Sequence, residues 1–259
     1  MRLPALLLLL AASSLLTAPG AWAQQTQPSI PRSADGKPDF SGIWQTLSAA
    51  EYDLEPHSTR KDAPPGPGIV EGQVIPYRPE ASQQRKKNFD ARATNDPRTK
   101  CFTLGTPRGI YSPEPFQIFQ RARDLTLVFQ FGHSVRTIHT NETRHPKGPI
   151  GFWLGDSRAR WEGDTLVVDV VDFNGETWLD RAGNFHSASL KVTERYSLID
   201  RDHMQYEATL EDPETYTRPW VIRFPLYRNI DPNARLGQFK CVEFVEELMY
   251  GHLRKTPNQ

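Results

Sequence analysis

Three titratable side chains in one stretch of the chain have the chemistry of a proton-transfer site. Asp180 and His186 lie in the segment 174–189 between two predicted strands, and Glu194 follows in the second strand. Histidine commonly transfers protons near neutral pH, and a carboxylate in a different environment can serve as its partner. We predict that His186, Glu194 and Asp180 are catalytic, with His186 at the rim of a cavity that Glu194 faces. The alternative is that His186 and Asp180 only hydrogen-bond their own loop.

Glu194 belongs to the apolar face of its predicted strand. In residues 190–198 it alternates with Val192 and Tyr196, whereas the other face is polar. Side chains of a strand point alternately to its two faces, so Glu194 is predicted to lie among apolar neighbours. An unpaired buried charge is costly. We therefore expect this carboxylate to be paired, protonated, solvated in a cavity or used in chemistry.

Other polar side chains share strand faces with apolar residues. Arg136 shares a face with Ile138, and Arg218 shares one with Trp220. Asp169 is flanked by valines on its strand. These inward charges could form internal ion pairs, or they could line a barrel interior that binds a ligand. The residues predicted to line such a ligand site are Arg136, Asp169, Trp178, Arg218, Trp220 and Tyr196.

The sequence lacks the common residue patterns that bind metals or cofactors. His133, His139 and His145 recur at intervals of six, but Gly132 and Pro146 interrupt any continuous strand. The close His-x-His and His-Glu-x-x-His spacings of metal sites are absent, as are a Gly-x-Ser-x-Gly elbow, a phosphate loop and a Gly-x-Gly-x-x-Gly motif. We expect no metal and no cofactor.

The elements that would position these residues are mainly strands. Alternation and turn residues predict strands over 116–121, 125–131, 135–140, 157–161, 165–173, 190–198, 204–210 and 218–226. Residues 162–164 give the clearest hairpin signal. The Gly42-Ile43-Trp44 segment resembles the first strand of lipocalin-like barrels. The chain is thus predicted to be all-β, an antiparallel lipocalin-like (calycin-like) barrel with an N-terminal wrapping segment, one short helix at 80–92 and a C-terminal helix at 242–252.

The N-terminus has the pattern of a secretory signal. Arg2 precedes a leucine-rich core, and Ala21-Trp22-Ala23 is a small-x-small cleavage site, so residues 1–23 are predicted to be removed on export. The cysteines, Cys101 and Cys241, are expected to form a disulfide in an oxidising compartment. We predict a periplasmic or secreted protein without stable membrane insertion after cleavage. The alternative to cleavage is an uncleaved N-terminal anchor, and the alternative to the disulfide is two buried thiols.

The amino-acid composition limits the classes of molecule that the protein is expected to bind. The 31 basic side chains balance the 31 acidic ones and form no basic stripe, so nucleic acid is not an expected partner. Residues 24–100 form a lead-in with the first strand, a loop and the short helix, and residues 101–259 form the main barrel. We expect residues 38–100 to belong to the same structural domain as the barrel. The oligomeric state is left open.

An ordered set of motifs resembles a large group of uncharacterised exported bacterial proteins. The resemblance covers about Pro38 to Tyr227. Its motifs are, in order, Cys101 with Gly105-Thr106-Pro107-Arg108, Gly155-Asp156-Ser157, Trp161-Glu162-Gly163-Asp164-Thr165-Leu166-Val167-Val168-Asp169, His186-Ser187, Glu194-Arg195, Asp212-Pro213 and Pro219-Trp220. After the Arg136 strand this chain has Asn141-Glu142-Thr143-Arg144 where the group has Asp-Gly-Arg. The resemblance implies export and a shared architecture, and it assigns no catalytic residue.

Two functions are compatible with these observations. The first is a cofactor-independent lyase, hydratase or isomerase that acts by general acid/base catalysis on a small aromatic or apolar molecule. His186 and Glu194 would exchange the proton, and Arg136 or Arg218 would hold the developing negative charge. The second is a periplasmic small-molecule binding protein with the same cavity and no chemistry. A filled interior, with Glu194 bridged to an arginine, would argue against both.

Overall fold

A closed nine-stranded barrel forms the body of the protein. The computed structural model describes residues 30–141, 143–243, 249 and 252. The strands are β1 (Gly42–Gln45), β2 (Phe116–Gln120), β3 (Asp124–Phe129), β4 (Val135–His139), β5 (Asp156–Glu162), β6 (Thr165–Val171), β7 (Lys191–Leu198), β8 (His203–Glu211) and β9 (Trp220–Arg228). The predicted all-β barrel is confirmed, with strand boundaries close to those that alternation and turn residues indicate.

One strand pair departs from the antiparallel pattern. Strands β4 and β5 run parallel, with Ile138 opposite Ser157 and His139 opposite Arg158. Every other neighbouring pair of these nine strands is antiparallel. Parallel neighbours need a connection that returns along the sheet, and residues 140–155 provide it. The barrel is therefore mixed, which corrects the expectation of a wholly antiparallel one.

Alternation decides which side chains fill the barrel. The strand register places Val168, Glu194, Ala208 and Ile222 next to one another across four strands, all of them buried. The outer face of the same strands is mostly polar. Val167 is an exception, because it is fully buried on the outer face between Arg160 and Arg195. The aliphatic stems of long arginine side chains can cover such a residue.

Different segments close the two ends of the barrel. Residues 30–41, here called the N-terminal cap, lie at one end. The cap contacts the β5–β6 hairpin through an ion pair between Arg32 and Asp164. At the other end lie residues 46–115, 172–190 and 212–219, here called the loop plug. The plug is tied together by buried charges and hydrogen bonds described below.

Two complete α-helices occur among the described residues, both in the loop plug, in addition to the short 3-10 helices Pro97–Lys100, Arg108–Ile110 and Phe131–His133. Helix α1 (Pro79–Asp90) begins with a proline, which is favoured in the first helical turn, and it confirms the helix predicted over 80–92. Helix α2 (Arg92–Asn95) follows it directly. Neither is long and apolar enough to cross a membrane. The predicted signal sequence lies outside the described residues, as does most of the predicted C-terminal helix.

The two cysteines are paired. Cys101 and Cys241 form a disulfide with their Cα atoms 5.4 Å apart, which agrees with the prediction. The bond connects the loop plug to the segment that follows β9. Such a bond is typical of compartments outside the reducing cytosol.

Candidate functional site

A charge pair lies inside the barrel. Arg136 of β4 donates from Nη1 to Glu194 Oε1 of β7 at 3.0 Å, and its Nη2 also donates to Glu194. Arg136 Nε donates to Ser157 Oγ at 3.0 Å. Glu194 is 0% exposed and Arg136 is 2% exposed, so water does not reach the pair. Both charges lie on the inner face, as alternation predicts.

Two tyrosines complete this group of side chains. Tyr196 and Tyr206 donate from their hydroxyls to Glu194 Oε1, at 2.9 and 2.7 Å. Burial and the nearby Glu194 charge raise the pKa of both phenols, so both remain donors at neutral pH. Burial lowers the pKa of Arg136, but the facing carboxylate raises it by more. Each side chain of the resulting inner polar cluster (Arg136, Ser157, Glu194, Tyr196 and Tyr206) is hydrogen-bonded within the cluster.

One inward donor near the inner polar cluster has no partner. Trp220 is 2% exposed at the start of β9, and its Nε1 is buried without a hydrogen-bond acceptor among the described residues. Trp220 pairs with Leu210 of the neighbouring strand β8. Glu194 pairs with Ala208 of the same strand, two residues from Leu210. In the strand register Trp220 therefore lies one inward-facing row away from the row that contains Glu194. Buried donors are normally satisfied, so this one needs an explanation.

Aromatic rings close the end of the barrel that the N-terminal cap covers, on the other side of the inner polar cluster from Trp220. Phe40 of the N-terminal cap is 0% exposed, and its ring lies 5.4 Å from that of Trp161 and 6.5 Å from that of Tyr196. Trp161 and Tyr196 both lie on the inner face, and Tyr196 bonds to Glu194. Phe40 thus lies within two side-chain contacts of the buried carboxylate.

His186 is held in the loop plug by both of its ring nitrogens. Nδ1 donates to the Ser187 carbonyl at 2.8 Å, and Nε2 accepts from the Thr177 hydroxyl at 2.7 Å. Its ring also packs edge-on against Phe173, 5.4 Å away. Burial lowers the pKa of His186, so the imidazole is neutral at pH 7. These two hydrogen bonds favour the tautomer with its proton on Nδ1, and they leave neither ring nitrogen free.

Asp180 is also enclosed in the loop plug. Its carboxylate accepts from the backbone N–H groups of Leu54 at 2.8 Å and Asn184 at 3.1 Å, and from the Asn184 side chain at 2.5 Å. Burial and the charge of Asp53 raise the pKa of Asp180 to about 7. These bonds join the segment after β1 to the β6–β7 connection. They match the alternative in which Asp180 organises its loop.

The structure does not join the three predicted catalytic residues. Glu194 bonds to the inner polar cluster, whereas His186 and Asp180 bond to separate groups in the loop plug. Among the described residues, no hydrogen bond links any two of the three. Direct proton exchange between His186 and Glu194 would require both to leave their present partners.

Three predicted ligand-site residues lie away from the barrel interior. Asp169 points outwards and pairs with Arg160 at 2.7 Å, which corrects its predicted inward position. Both faces of β6 carry buried valines, so alternation alone could not assign the inner one. Arg218 is exposed and precedes β9, which begins at Trp220, so its expected inward position was also wrong. Trp178 lies in the loop plug, where it forms an isolated bridge with Phe185.

A second buried charge group was missed by the sequence reasoning. Arg108 is 1% exposed and binds Glu51 at 2.9 and 3.1 Å and Asp96 at 2.8 Å. The carboxylate of Glu51 also lies 3.5 Å from Arg98 and 3.4 Å from Arg181. These residues lie outside the strands, so no periodicity marks them as buried. This group ties the loop plug together and has a carboxylate partner for its buried cation.

Metal ligands are not grouped in the described part of the chain. No cluster of three or more His, Cys, Asp or Glu side chains there could hold a metal ion. A cleft of about 10 Å³ is lined by residues of the loop plug and the barrel rim, among them Thr103, Glu114 and Phe129. That volume accommodates about one water molecule.

The fold and this interior define a closed β-barrel with an internal, hydrogen-bonded charge pair. No family model, curated protein or solved structure matches the chain.

Proposed function

We propose that this protein binds a small, mainly apolar molecule that carries a hydrogen-bond acceptor, inside the barrel and without chemical conversion. The observation that carries the proposal is the Trp220 indole N–H, which is buried on the inner face without a partner. A buried donor left unsatisfied costs about 1–3 kcal/mol. A ligand acceptor at this position would remove that cost.

The surroundings of Trp220 favour an apolar ligand body. Leu210 and Ile222 flank it on the inner face, and the Tyr216 ring packs edge-on at 5.4 Å. Most binding sites combine apolar walls with a few polar groups that fix orientation. Here the inner polar cluster would supply those groups one layer away.

The filled interior and the Arg136–Glu194 bridge argue against a preformed cavity, and so against both functions that would use one. Binding to an interior that opens for the ligand still matches the geometry better than catalysis does. A binding protein needs no free base, whereas both nitrogens of His186 and the carboxylate of Glu194 are already hydrogen-bonded. Ligand entry would require the close-packed interior to rearrange, because Glu194 has no exposed surface in the closed form. Binding would therefore be accompanied by measurable opening of one end of the barrel.

The proposed setting is the periplasm or the exterior of the cell. The signal pattern of residues 1–23 and the Cys101–Cys241 bond both support export.

The proposal is tested with acetophenone and ethylbenzene, which have similar shapes but differ in a carbonyl acceptor. We expect acetophenone to raise the melting temperature of the mature protein more than ethylbenzene does. The substitution Trp220→Phe should abolish that difference. No stabilisation by either compound would overturn binding, and equal stabilisation would overturn the role of the indole. Consumption of the bound compound would instead favour the enzyme.

A further inference from the structure

An exposed apolar stretch lies in the connection between β4 and β5. Ile150, Phe152 and Trp153 follow one another closely in the sequence, and they are 44%, 37% and 36% exposed. Every residue from 146 to 153 is exposed, so this stretch projects from the protein surface. Large apolar side chains that are exposed together mark sites of contact with a partner.

The backbone of this stretch is held in place although its side chains are exposed. The Phe152 N–H donates to the Asp172 carbonyl at 2.8 Å, and the Phe152 carbonyl accepts from the Asn174 N–H at 3.1 Å. The Trp153 ring packs against that of Phe102, with the ring centres 5.3 Å apart. A partner would therefore meet an ordered surface, and binding would cost little ordering entropy.

Basic side chains accompany the apolar ones. Arg144 and Lys147 are exposed, and residues 143–155 contain no acidic side chain. Lys100 is also exposed, two positions from the Phe102 ring that Trp153 contacts. Within the described part of the chain none of these three cations forms an ion pair. The loop tip (residues 144–153) thus combines an apolar surface with positive charge.

We propose that the loop tip binds the surface of an anionic phospholipid bilayer. Aromatic side chains favour the level of the lipid headgroups, and lysine and arginine near the surface are attracted to anionic lipids. The three apolar side chains would enter the boundary between headgroups and acyl chains, and the basic ones would stay among the headgroups. The contact is peripheral and spans nothing. It is independent of the barrel interior and hence of the proposed function.

Cosedimentation of the mature protein with vesicles tests the charge requirement. We expect stronger partitioning onto vesicles of equal parts phosphatidylglycerol and phosphatidylcholine than onto phosphatidylcholine alone. Arg144→Gln/Lys147→Gln should weaken partitioning onto the anionic vesicles roughly five- to thirtyfold. The matched control Lys86→Gln/Lys87→Gln removes two exposed charges from helix α1, and it should change partitioning less than about twofold.

A second set of variants tests the apolar contact. Phe152→Ala/Trp153→Ala should weaken partitioning onto anionic vesicles by roughly tenfold or more. Phe119→Ala is the control, because it removes a ring that is 46% exposed on the outer face of β2, and it should leave partitioning unchanged. Vesicles with brominated acyl chains should quench the tryptophan fluorescence of the wild type more than that of Trp153→Phe.

Three results would overturn the proposal. The first is a wild type that associates with neither kind of vesicle, since the loop tip would then fit a protein partner instead. The second is an equal loss of partitioning in the loop-tip variants and their controls, and the third is equal quenching in the wild type and Trp153→Phe. Circular dichroism confirms that each variant is folded, so that a loss of partitioning reports on the contact. None of these results bears on binding at Trp220.

Discussion

Arg136 and Glu194 face each other inside the barrel, with Nη1 and Oε1 3.0 Å apart and neither side chain reached by water. Removing one partner leaves the other as a buried, uncompensated charge. We expect Glu194→Gln to lower the free energy of unfolding by about 3–5 kcal/mol. Urea unfolding measures this change.

The double variant Arg136→Met/Glu194→Met is the informative comparison. It removes both charges together, so it should recover much of the loss. The surface pair of Arg160 and Asp169 provides the control, since Asp169→Asn should cost less than about 1 kcal/mol. A Glu194→Gln variant no less stable than this control would contradict the argument.

Trp44 and Trp220 provide a matched pair of buried indoles. Both are inward, but the Trp44 N–H donates to the Phe40 carbonyl, whereas the Trp220 N–H has no acceptor among the described residues. Trp44→Phe should therefore destabilise the protein by about 1 kcal/mol more than Trp220→Phe does. Thermal unfolding without ligand checks the difference. Equal costs would indicate that Trp220 donates to an ordered water.

Asp180 should make stability depend on pH. Burial and the charge of Asp53 raise its pKa from 3.8 to about 7 in the folded protein. A folded state that holds the proton more tightly is stabilised most below pH 3.8, and this contribution is lost as the pH rises towards 7. The loss amounts to at most about 4 kcal/mol, because one pKa unit corresponds to about 1.4 kcal/mol.

The variant Asp180→Asn isolates this contribution. Its unfolding free energy should decline less between pH 4 and pH 7 than that of the wild type, whatever its absolute stability. Asp169→Asn, which removes a carboxylate from the outer face, is the control and should keep the slope of the wild type. Parallel pH profiles for wild type and Asp180→Asn would refute the assignment.

The disulfide closes a large loop. Cys101 and Cys241 are separated by 140 positions, for which the chain-entropy relation gives an upper figure of about 5 kcal/mol. The variant Cys101→Ser/Cys241→Ser should melt at a lower temperature than the oxidised wild type. Reduction of the wild type should produce the same shift, and the reductant should leave the variant unaffected. A variant that melts with the oxidised wild type would show that the bond restricts the unfolded chain little.

Alternation predicted most of the barrel because its two faces differ in polarity. In β7 the apolar face carries Glu194, so both the strand and the buried carboxylate could be read from the sequence. In β6 the pattern was ambiguous, since Val167 and Val168 are both fully buried on opposite faces. That ambiguity explains why Asp169 was placed inside.

The pairing of Arg136 with Glu194 needed information beyond one strand. Internal ion pairs were foreseen, but Arg218 was an equal candidate until the start of β9 was known. The parallel packing of β4 and β5 brings Ser157 to Arg136, and local sequence does not reveal such a crossover. Arg108 lay beyond prediction for a similar reason, because its partners Glu51 and Asp96 come from separate loops.

The short first strand has a consequence for the order of synthesis. Strand β1 pairs with β2 on one side and with β9 on the other, so its four residues close the ring. A growing chain presents β1 early, yet β9, one of its two partner strands, is complete only after Arg228 has been made. The ring therefore cannot be completed while the chain is still emerging, and its closure depends on contacts distant in sequence, which are slow to form. A partly made chain would expose unpaired strand edges, which favour aggregation. This topology therefore favours a chain that stays unfolded until its synthesis is complete and then closes the barrel in one final step.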